Sequence, residues 1–573
     1  MIETKKILAE KIAKAISEGW SGVEVDVESI LGMFEYPPDA SLGDISLPCF
    51  RFSKLLRRAP VQIAQILKDS ISGDPIERID NVNGYLNFYI SGKYLATSLL
   101  SQILEKGACY GSQTVGEGKT VVLDYSSPNV AKPFHIGHLG TTVIGHSIRK
   151  LHEFLGYKCV GINYLGDWGT QFGKMIVAYR LWGNEEEIEQ GGVDKLVELY
   201  VKFHHEAEQN KSLEDDARRE FHKLEQNDPD NIRLWKWFIE ISVKEYKKTY
   251  RQLGIEFDSY AGESFYTDKM PAQVEKLREM GLLKIDDGAS LVDLSEYNMP
   301  PCLILKRDGS TLYPTRDIAA AVYRKQTYDF DKCIYVTSSA QSLHFAQWFK
   351  VVELMGYDWY DKLVHVPYGT VSINGEKLAT RTGNVILLKD LFDMAISKVS
   401  DIMTEKNPDI ANKAETAEAV GVGAVVFYYL LGNRIKDIDF RLEDALSFEG
   451  NTGPYVQYTY ARTCSLLEKA SKLGISTSIS VDEITAPEEA SLLKVLAKFP
   501  ERVLVAVRDL EPSVITRYIL DVAAEFNRFY HNCQILNAEN EGTAAFRLKL
   551  TEATRYVLGN AFELICLKKT EKI

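Results

Sequence analysis

At 573 residues the chain is too long for one ordinary domain, and its length sets an expectation of roughly three to four. Its composition, 45% hydrophobic and 26% charged, is that of a globular protein with a large core. A formal net charge of −13 excludes indiscriminate coating of nucleic acid, which needs a basic surface, but not a local basic face.

The opening segment "MIETKKILAEKIAKAISEGW" alternates charged and apolar residues at helical spacing, unlike a signal peptide or a membrane span. Helical patterns at 3–18 and 60–72 flank the turn-rich "FEYPPDASLGDISLP", and "GYLNFYI" alternates like a half-buried strand, so residues 1–110 form a small α+β module. "KGACYGSQTVGEGKT" is a Gly-rich, polar linker. "TVVLDYS" is then a compact apolar strand. Leu139, Val143, Ile144, Ile148, Leu151 and Leu155 follow a helical period that ends at Gly156, a good C-cap, and "KCVGINYL" is a second strand. Strand, helix and strand within about 45 residues make a βαβ unit of a parallel sheet. The same grammar returns in "KCIYVTS", "AQSLHFAQWFKVVELMG" and "KLVHVPYG", so residues 118–385 read as one nucleotide-binding sheet with a charged helical insertion at about 180–255.

After about 385 the pattern is almost wholly helical: a connecting region over 386–450, then a bundle over 451–573, where "GNTGPYVQYTYARTCSLLEKASKLG" opens on a Gly/Pro turn and runs as a long amphipathic helix and 488–510, 512–533 and 543–567 have similar patterns. Residues 491–573 carry 12 Lys+Arg against 10 Asp+Glu, which points to an anionic partner at that end. The eight cysteines are scattered without a C-x-x-C pair, so neither a disulfide framework nor a zinc ribbon is expected. No run of about 18 apolar residues occurs. A cytoplasmic, reducing setting with no membrane contact follows as the expectation.

The segment "SSPNVAKPFHIGHLG" holds His135 and His138 three apart. Zinc ligation lacks a third ligand at any standard spacing. A packed core pair leaves little volume at Gly137 and has polar company in Pro128, Asn129 and Lys132. The position, after a parallel strand and at the start of its helix, favours an anion: free backbone N–H groups and the positive helix end face it, and Gly137 permits close approach. With two imidazoles and Lys132 beside them, the arrangement suits a nucleoside triphosphate.

These residues carry a resemblance. "HIGH" after a strand, with a Lys-x-x-x-Arg loop far downstream, resembles class I aminoacyl-tRNA synthetases. "DYSSPNVAKPFHIGHLGTTVIG", "NYLGDWGTQFGKM", "LGIEFDSYAGESFY", "TLYPTRDIAAAVYR", "QSLHFAQ" and "ALSFEGNTGPYVQY", in that order from about 30 to 560, resemble the arginyl-tRNA synthetases. The resemblance implies a Rossmann-like (HUP-type) parallel-sheet catalytic domain with an N-terminal α+β module and a C-terminal all-α bundle. It implies ATP-dependent activation of L-arginine and its transfer to tRNA(Arg), with Mg²⁺ carried on the ATP phosphates, no protein metal site, and a monomer.

By matching, His135, Gly137, His138 and Lys132 hold ATP together with Lys377 and Arg381 of the loop "EKLATRTGN", whose usual second lysine is Thr380 and for which Lys132 substitutes. A polar hairpin turn is the plainer reading of that loop, since Gly383-Asn384 is good turn chemistry. Arginine selection needs an anionic, planar site. Asp317 with Tyr313 fits the guanidinium, although Asp317 also suits a helix start. Asn129 and Gln341 are expected at the α-amino and carboxylate end, and Asp124 at the ammonium. A capping Asn, a helix-start Gln and a solvated strand-end Asp are their plainer alternatives. Ser126, Gly166, Asp167, Trp168, Gln171 and His344 are expected to line the pocket, where "GDWGTQFG" reads equally as a strand-to-helix turn.

For tRNA the expected contacts are Tyr36, Phe50 and Asn87 at the N-terminal module. In the bundle they are the exposed aromatics Tyr455, Tyr458 and Tyr460 with Arg462, set against their being core. The chain departs from the family at Gly140-Thr141 (usually Arg-Ser), His146 (usually Asp), Ser513 (commonly His) and the terminal "LKKTEKI". A non-catalytic RNA-binding paralogue and an adenylating ligase with a small-molecule acceptor are the alternative readings. The retained His135, His138, Lys377 and Asp317 argue against the first, and the long bundle against the second.

Overall fold

The computed structural model describes residues 1–132, 134–377, 386–406, 410, 412–477 and 484–573. The N-terminal module sets the helices Ile2–Gly19 and Pro60–Ser70 against an antiparallel sheet with Tyr85–Ile90 between Ile45–Pro48 and Ile76–Val82. Pro60 opens its helix because the N–H that proline lacks would be unsatisfied at that position in any case. This module is clasped to the C-terminal bundle. Glu501 Oε2 accepts from Lys5 Nζ at 2.9 Å and from the Tyr36 hydroxyl at 2.7 Å, and Lys494 pairs with Asp44 at 2.8 Å.

The central sheet is fully parallel, in the order Leu363–Tyr368, Lys332–Ser338, Thr120–Asp124, Lys158–Ile162. Val121, Val122 and Leu123 are wholly buried, as a strand covered on both faces requires. The helices Ile136–Phe154 and Ser342–Leu354 leave the two central strands in opposite directions. A crevice therefore opens at the strands' C-terminal ends, the switch point where such sheets bind ligands.

Three differences from the sequence reading have local causes. The insertion is larger than about 180–255: after the helices Glu185–Gln209, Ser212–Glu225 and Pro229–Leu253 comes an antiparallel meander, Leu283–Asp286, Ala289–Val292 and Cys302–Leu305. Its first turn is Asp287-Gly288, both at positive φ, a hairpin signal present in the sequence. The helix expected over 488–510 is two, Pro487–Leu496 and Phe499–Asp509, because Pro500 can donate no hydrogen bond and crowds the carbonyl four residues back. The region after 385 is not wholly helical: Ile438–Phe440 pairs in parallel with Val371–Ile373, which pairs with Glu376–Lys377.

The helix Lys413–Leu431 is long and apolar enough to cross a membrane, and 67% of its apolar window is buried inside the protein. It crosses the histidine helix at Gly140, where a Cβ would lie 2.2 Å from the hydroxyl oxygen of Tyr429 and 2.8 Å from its Cζ. That buried ring explains the glycine at the first departure from the family.

Candidate active site

The loop 126–132 between strand and histidine helix is tightly folded, with Ser126, Ser127 and Ala131 at positive φ. It is pinned to the neighbouring turn by Val130 N–H to Gly166 O and Gly166 N–H to Pro128 O, both 3.1 Å. A Cβ on Gly166 would meet the Asn129 amide oxygen at 2.1 Å, so only glycine fits beside it.

At the helix start, His135 Nδ1 accepts from the Gly137 N–H at 3.1 Å, and His138 Nδ1 accepts from the His135 N–H at 3.2 Å. With both Nδ1 atoms accepting, each ring carries its proton on Nε2. Burial lowers the pKa of His135, and burial with the neighbouring His135 and Lys132 brings His138 down to about 3. The pair is thus two neutral N–H donors, their ring centroids 4.0 Å apart, and the positive charge resides in Lys132 and the helix end.

Below lies a cavity of ≈ 530 Å³ that brings together Asp124, Ser126, Asn129, His138, Gly166, Tyr313, Asp317, Gln341 and His344 of the expected set. Tyr313 and Asp317 are one turn apart on the helix Tyr313–Tyr328, so both face the cavity, with Tyr313 at its mouth. His344 Nε2 lies 2.7 Å from Asp317 Oδ2, which fixes the carboxylate in the cavity lining through one of its two oxygens. The wall also holds Glu263, ion-paired to Arg316; burial, with Asp317 and Asp167 nearby, pushes its carboxyl up to about 7 against the pull of Arg316.

Four expectations are corrected. Asp124 is neither solvated nor free: Oδ1 accepts from Ser127 Oγ at 2.9 Å, and Oδ2 pairs at 2.8 Å with Arg324, which is fully buried among Tyr164, Tyr266 and Tyr335. Burial pushes the Asp124 carboxyl up, against the pull of the Arg324 guanidinium. Asp167, Trp168 and Gln171 stand behind the cavity wall instead of lining it. Asp167 accepts from Ser264 N–H at 2.8 Å and Oγ at 2.7 Å; Trp168 packs on Phe221 and Trp235; Gln171 donates to Gly166 O at 3.3 Å. Tyr36 spends its hydroxyl on Glu501, and Asn87 is buried, accepting from Ser46 Oγ at 2.6 Å, so neither is a free RNA contact. Tyr460 is 8% exposed and belongs to the core.

Other positions remain open to solvent. Phe50 is 49% exposed and meets Tyr85 edge-on at 5.7 Å, on a segment where Arg51, Lys54, Arg57 and Arg58 are also exposed. Tyr458 is 44% exposed with the Arg462 guanidinium 5.0 Å from its ring, and Tyr530 lies on the other side of Arg462 at 4.8 Å. Tyr455 is half-buried and accepts from Asn527 at 3.0 Å. Lys377 ends its short strand, and Arg381 lies outside the described residues. Arg324 is the cavity group that sequence patterning passed over, since a charged residue on an amphipathic helix reads as solvated surface. Among the described residues no three His, Cys, Asp or Glu side chains are grouped to hold a metal ion.

Comparison with known proteins gives one consistent result. Residues 3–90 match the arginyl tRNA synthetase N-terminal domain, 99–442 the catalytic domain of class I (R) tRNA synthetases, and 456–573 the DALR anticodon-binding domain. The chain is 50% identical over 545 residues to the arginine–tRNA ligase of Alkaliphilus metalliredigens, covering 95% of this chain and 96% of that one. It is 47% identical to that of Clostridium perfringens over the whole of both chains. Among solved structures, Thermus thermophilus arginyl-tRNA synthetase aligns with a TM-score of 0.84 at 25% identity, covering 99% of this chain and all of that one. The Plasmodium falciparum arginyl-tRNA synthetase aligns at 0.80 and 26% identity, covering 100% and 99%. The two halves of the parallel sheet, the histidine helix and the cavity beneath it are those of a class I catalytic domain, and the chain belongs to the arginyl-tRNA synthetase family.

Proposed function

We propose that this chain joins L-arginine to tRNA(Arg) at the expense of ATP. The arginine carboxylate attacks the α-phosphorus, the bond to pyrophosphate breaks, and a ribose hydroxyl of the tRNA's terminal adenosine then attacks the arginyl carbonyl and releases AMP. Such chemistry rests on alignment and charge stabilisation more than on covalent help. Asp317, held by His344 and accompanied by Tyr313, takes the guanidinium. Asn129 and Gln341 take the α-amino and carboxylate end; Asp124, neutralised by Arg324, shapes this end without offering it a full free charge. The Nε2–H groups of His135 and His138 hold the triphosphate over the helix start, with Lys132 supplying charge and Lys377 and Arg381 closing from the downstream loop. One observation carries this reading: a single cavity is lined by Asp317, paired with His344, and by the neutral imidazole of His138, whose ring lies 4.0 Å from that of His135.

Mg²⁺ would ride on the ATP phosphates and water: Asp124, Glu263 and Asp317 each already have a partner, and the described residues offer no carboxylate cage. Residues 1–110 with Phe50, and the bundle from 451 with Tyr458 and Arg462, hold the tRNA, and 386–450 contacts its stem. The enzyme works as a monomer in the cytoplasm. The deciding experiment is arginine-dependent ATP–pyrophosphate exchange with and without tRNA, which should proceed only with arginine and tRNA both present. Exchange supported by another amino acid, or fully independent of tRNA, would sink the assignment.

A further inference from the structure

The helix Pro229–Leu253 runs beneath the loop 126–132 and grips it with one stripe of hydroxyls, Ser242, Tyr246 and Tyr250, spaced four residues apart. Ser242 Oγ accepts from the Ala131 N–H at 3.0 Å. The Tyr250 hydroxyl lies 2.7 Å from Ser126 Oγ and accepts from Asn163 Nδ2 at 3.0 Å. The Tyr246 hydroxyl does something different: it stands 2.8 Å from the carbonyl oxygen of Asn129 and 2.9 Å from that of Lys132. A phenol has one proton, so the two carbonyls share it, and the hydroxyl acts as a pin across the turn. The ring cannot swing away, being buried and packed against Phe134 with centroids 5.4 Å apart. Between the pinned carbonyls the backbone passes through Ala131 at φ 57°, a conformation that an L-residue holds only when its surroundings impose it.

We propose that Tyr246 is a positioning residue for the first half-reaction: its hydroxyl sets how far Lys132 stands from Asn129, and so how the ATP α-phosphate meets the arginine carboxylate. The inference rests on the ligase reading, which assigns Asn129 to the amino acid and Lys132 to ATP. It follows from the geometry because no other side chain reaches both carbonyls among the described residues. A misplacement of about 1 Å between reacting groups is enough to cost on the order of 100-fold in rate.

The test is Tyr246→Phe in the full-length protein, which keeps the ring and removes the pin. Arginyl-adenylate formation should slow by about 10- to 100-fold, while KM for arginine and for ATP each stay within about 3-fold, since the binding groups remain but their alignment does not. Transfer from supplied arginyl-adenylate to tRNA should keep the wild-type rate, and so should the thermal midpoint keep its value. Ser242→Ala, which loosens the same turn at Ala131, should give a smaller loss with the same split and serves if the first variant does not fold. Unchanged adenylate formation overturns the proposal. Equal loss in both half-reactions with a lowered midpoint overturns it too, showing a merely structural role. A wild-type protein that forms no arginyl-adenylate with arginine, ATP and tRNA all present refutes the ligase reading instead.

Discussion

Replacing Asp317 by asparagine removes one charge from the cavity while keeping its volume. The carboxylate is largely buried, with 19% of its side chain exposed, and His344 already occupies Oδ2, so a guanidinium would meet it through the remaining oxygen. Losing one partner of a desolvated, hydrogen-bonded charge pair costs about 2–5 kcal/mol, and the residual exposure of Asp317 places it at the lower end, about 2–3 kcal/mol. At 1.36 kcal/mol per factor of ten, kcat/KM for arginine should fall by about 30- to 150-fold. The assay is aminoacylation with varied arginine, run beside citrulline, whose neutral urea group replaces the guanidinium. Discrimination between the two should shrink by the same factor, because the lost term is the charge. KM for ATP should hold. Normal arginine affinity in Asp317→Asn, or an unaltered preference over citrulline, would refute the reasoning from charge.

Gly140→Ala should destabilise the protein although alanine is the better helix former by about 1 kcal/mol. The new Cβ meets the buried Tyr429 ring, and overpacking of this kind costs about 1–3 kcal/mol, so urea unfolding should show a net loss on the order of 1 kcal/mol, partly recovered when Tyr429→Phe is added. Glu263→Gln tests a pH window. Burial pushes the folded carboxyl up to about 7 from the usual 4.5 of a free glutamate, so the native state binds the extra proton between these values, and the wild type loses stability as pH rises through them. The stability of Glu263→Gln relative to wild type should therefore improve from about pH 4.5 to 7 and level off above; a flat difference across that window would contradict the burial argument.

The parallel sheet was legible because its signals are local: apolar strands, a 3.6-residue period and Gly156 as a cap lie within one βαβ stretch. The pairing of Tyr313 with Asp317 was legible for the same reason, being one turn of one helix. Arg324 and Tyr246 were not. Each is a polar residue on an amphipathic helix, and its significance comes from Asp124 and the 129–132 turn, more than one hundred positions away, through packing that no periodicity encodes. The family resemblance named Asn129, Asp317 and His344, and all three line one cavity. It also carried Asp167 and Trp168 into the wall, where the fold instead uses them to brace the turn behind. The break at Pro500 and the hairpin at Asp287-Gly288 were visible signals that pattern-reading over longer windows smoothed away.

The clasp at Glu501 has a topological consequence. Lys5 and Tyr36 come from the first forty residues and Glu501 from the last eighty, so these contacts close the chain on itself. In a closed circuit the two ends cannot swing apart by bending the 107–118 linker alone; the gauge between them is set by the buckle. Any long, rigid guest that touches both ends is therefore measured against a fixed span, and opening that span requires the buckle's ion pair and hydroxyl to let go together.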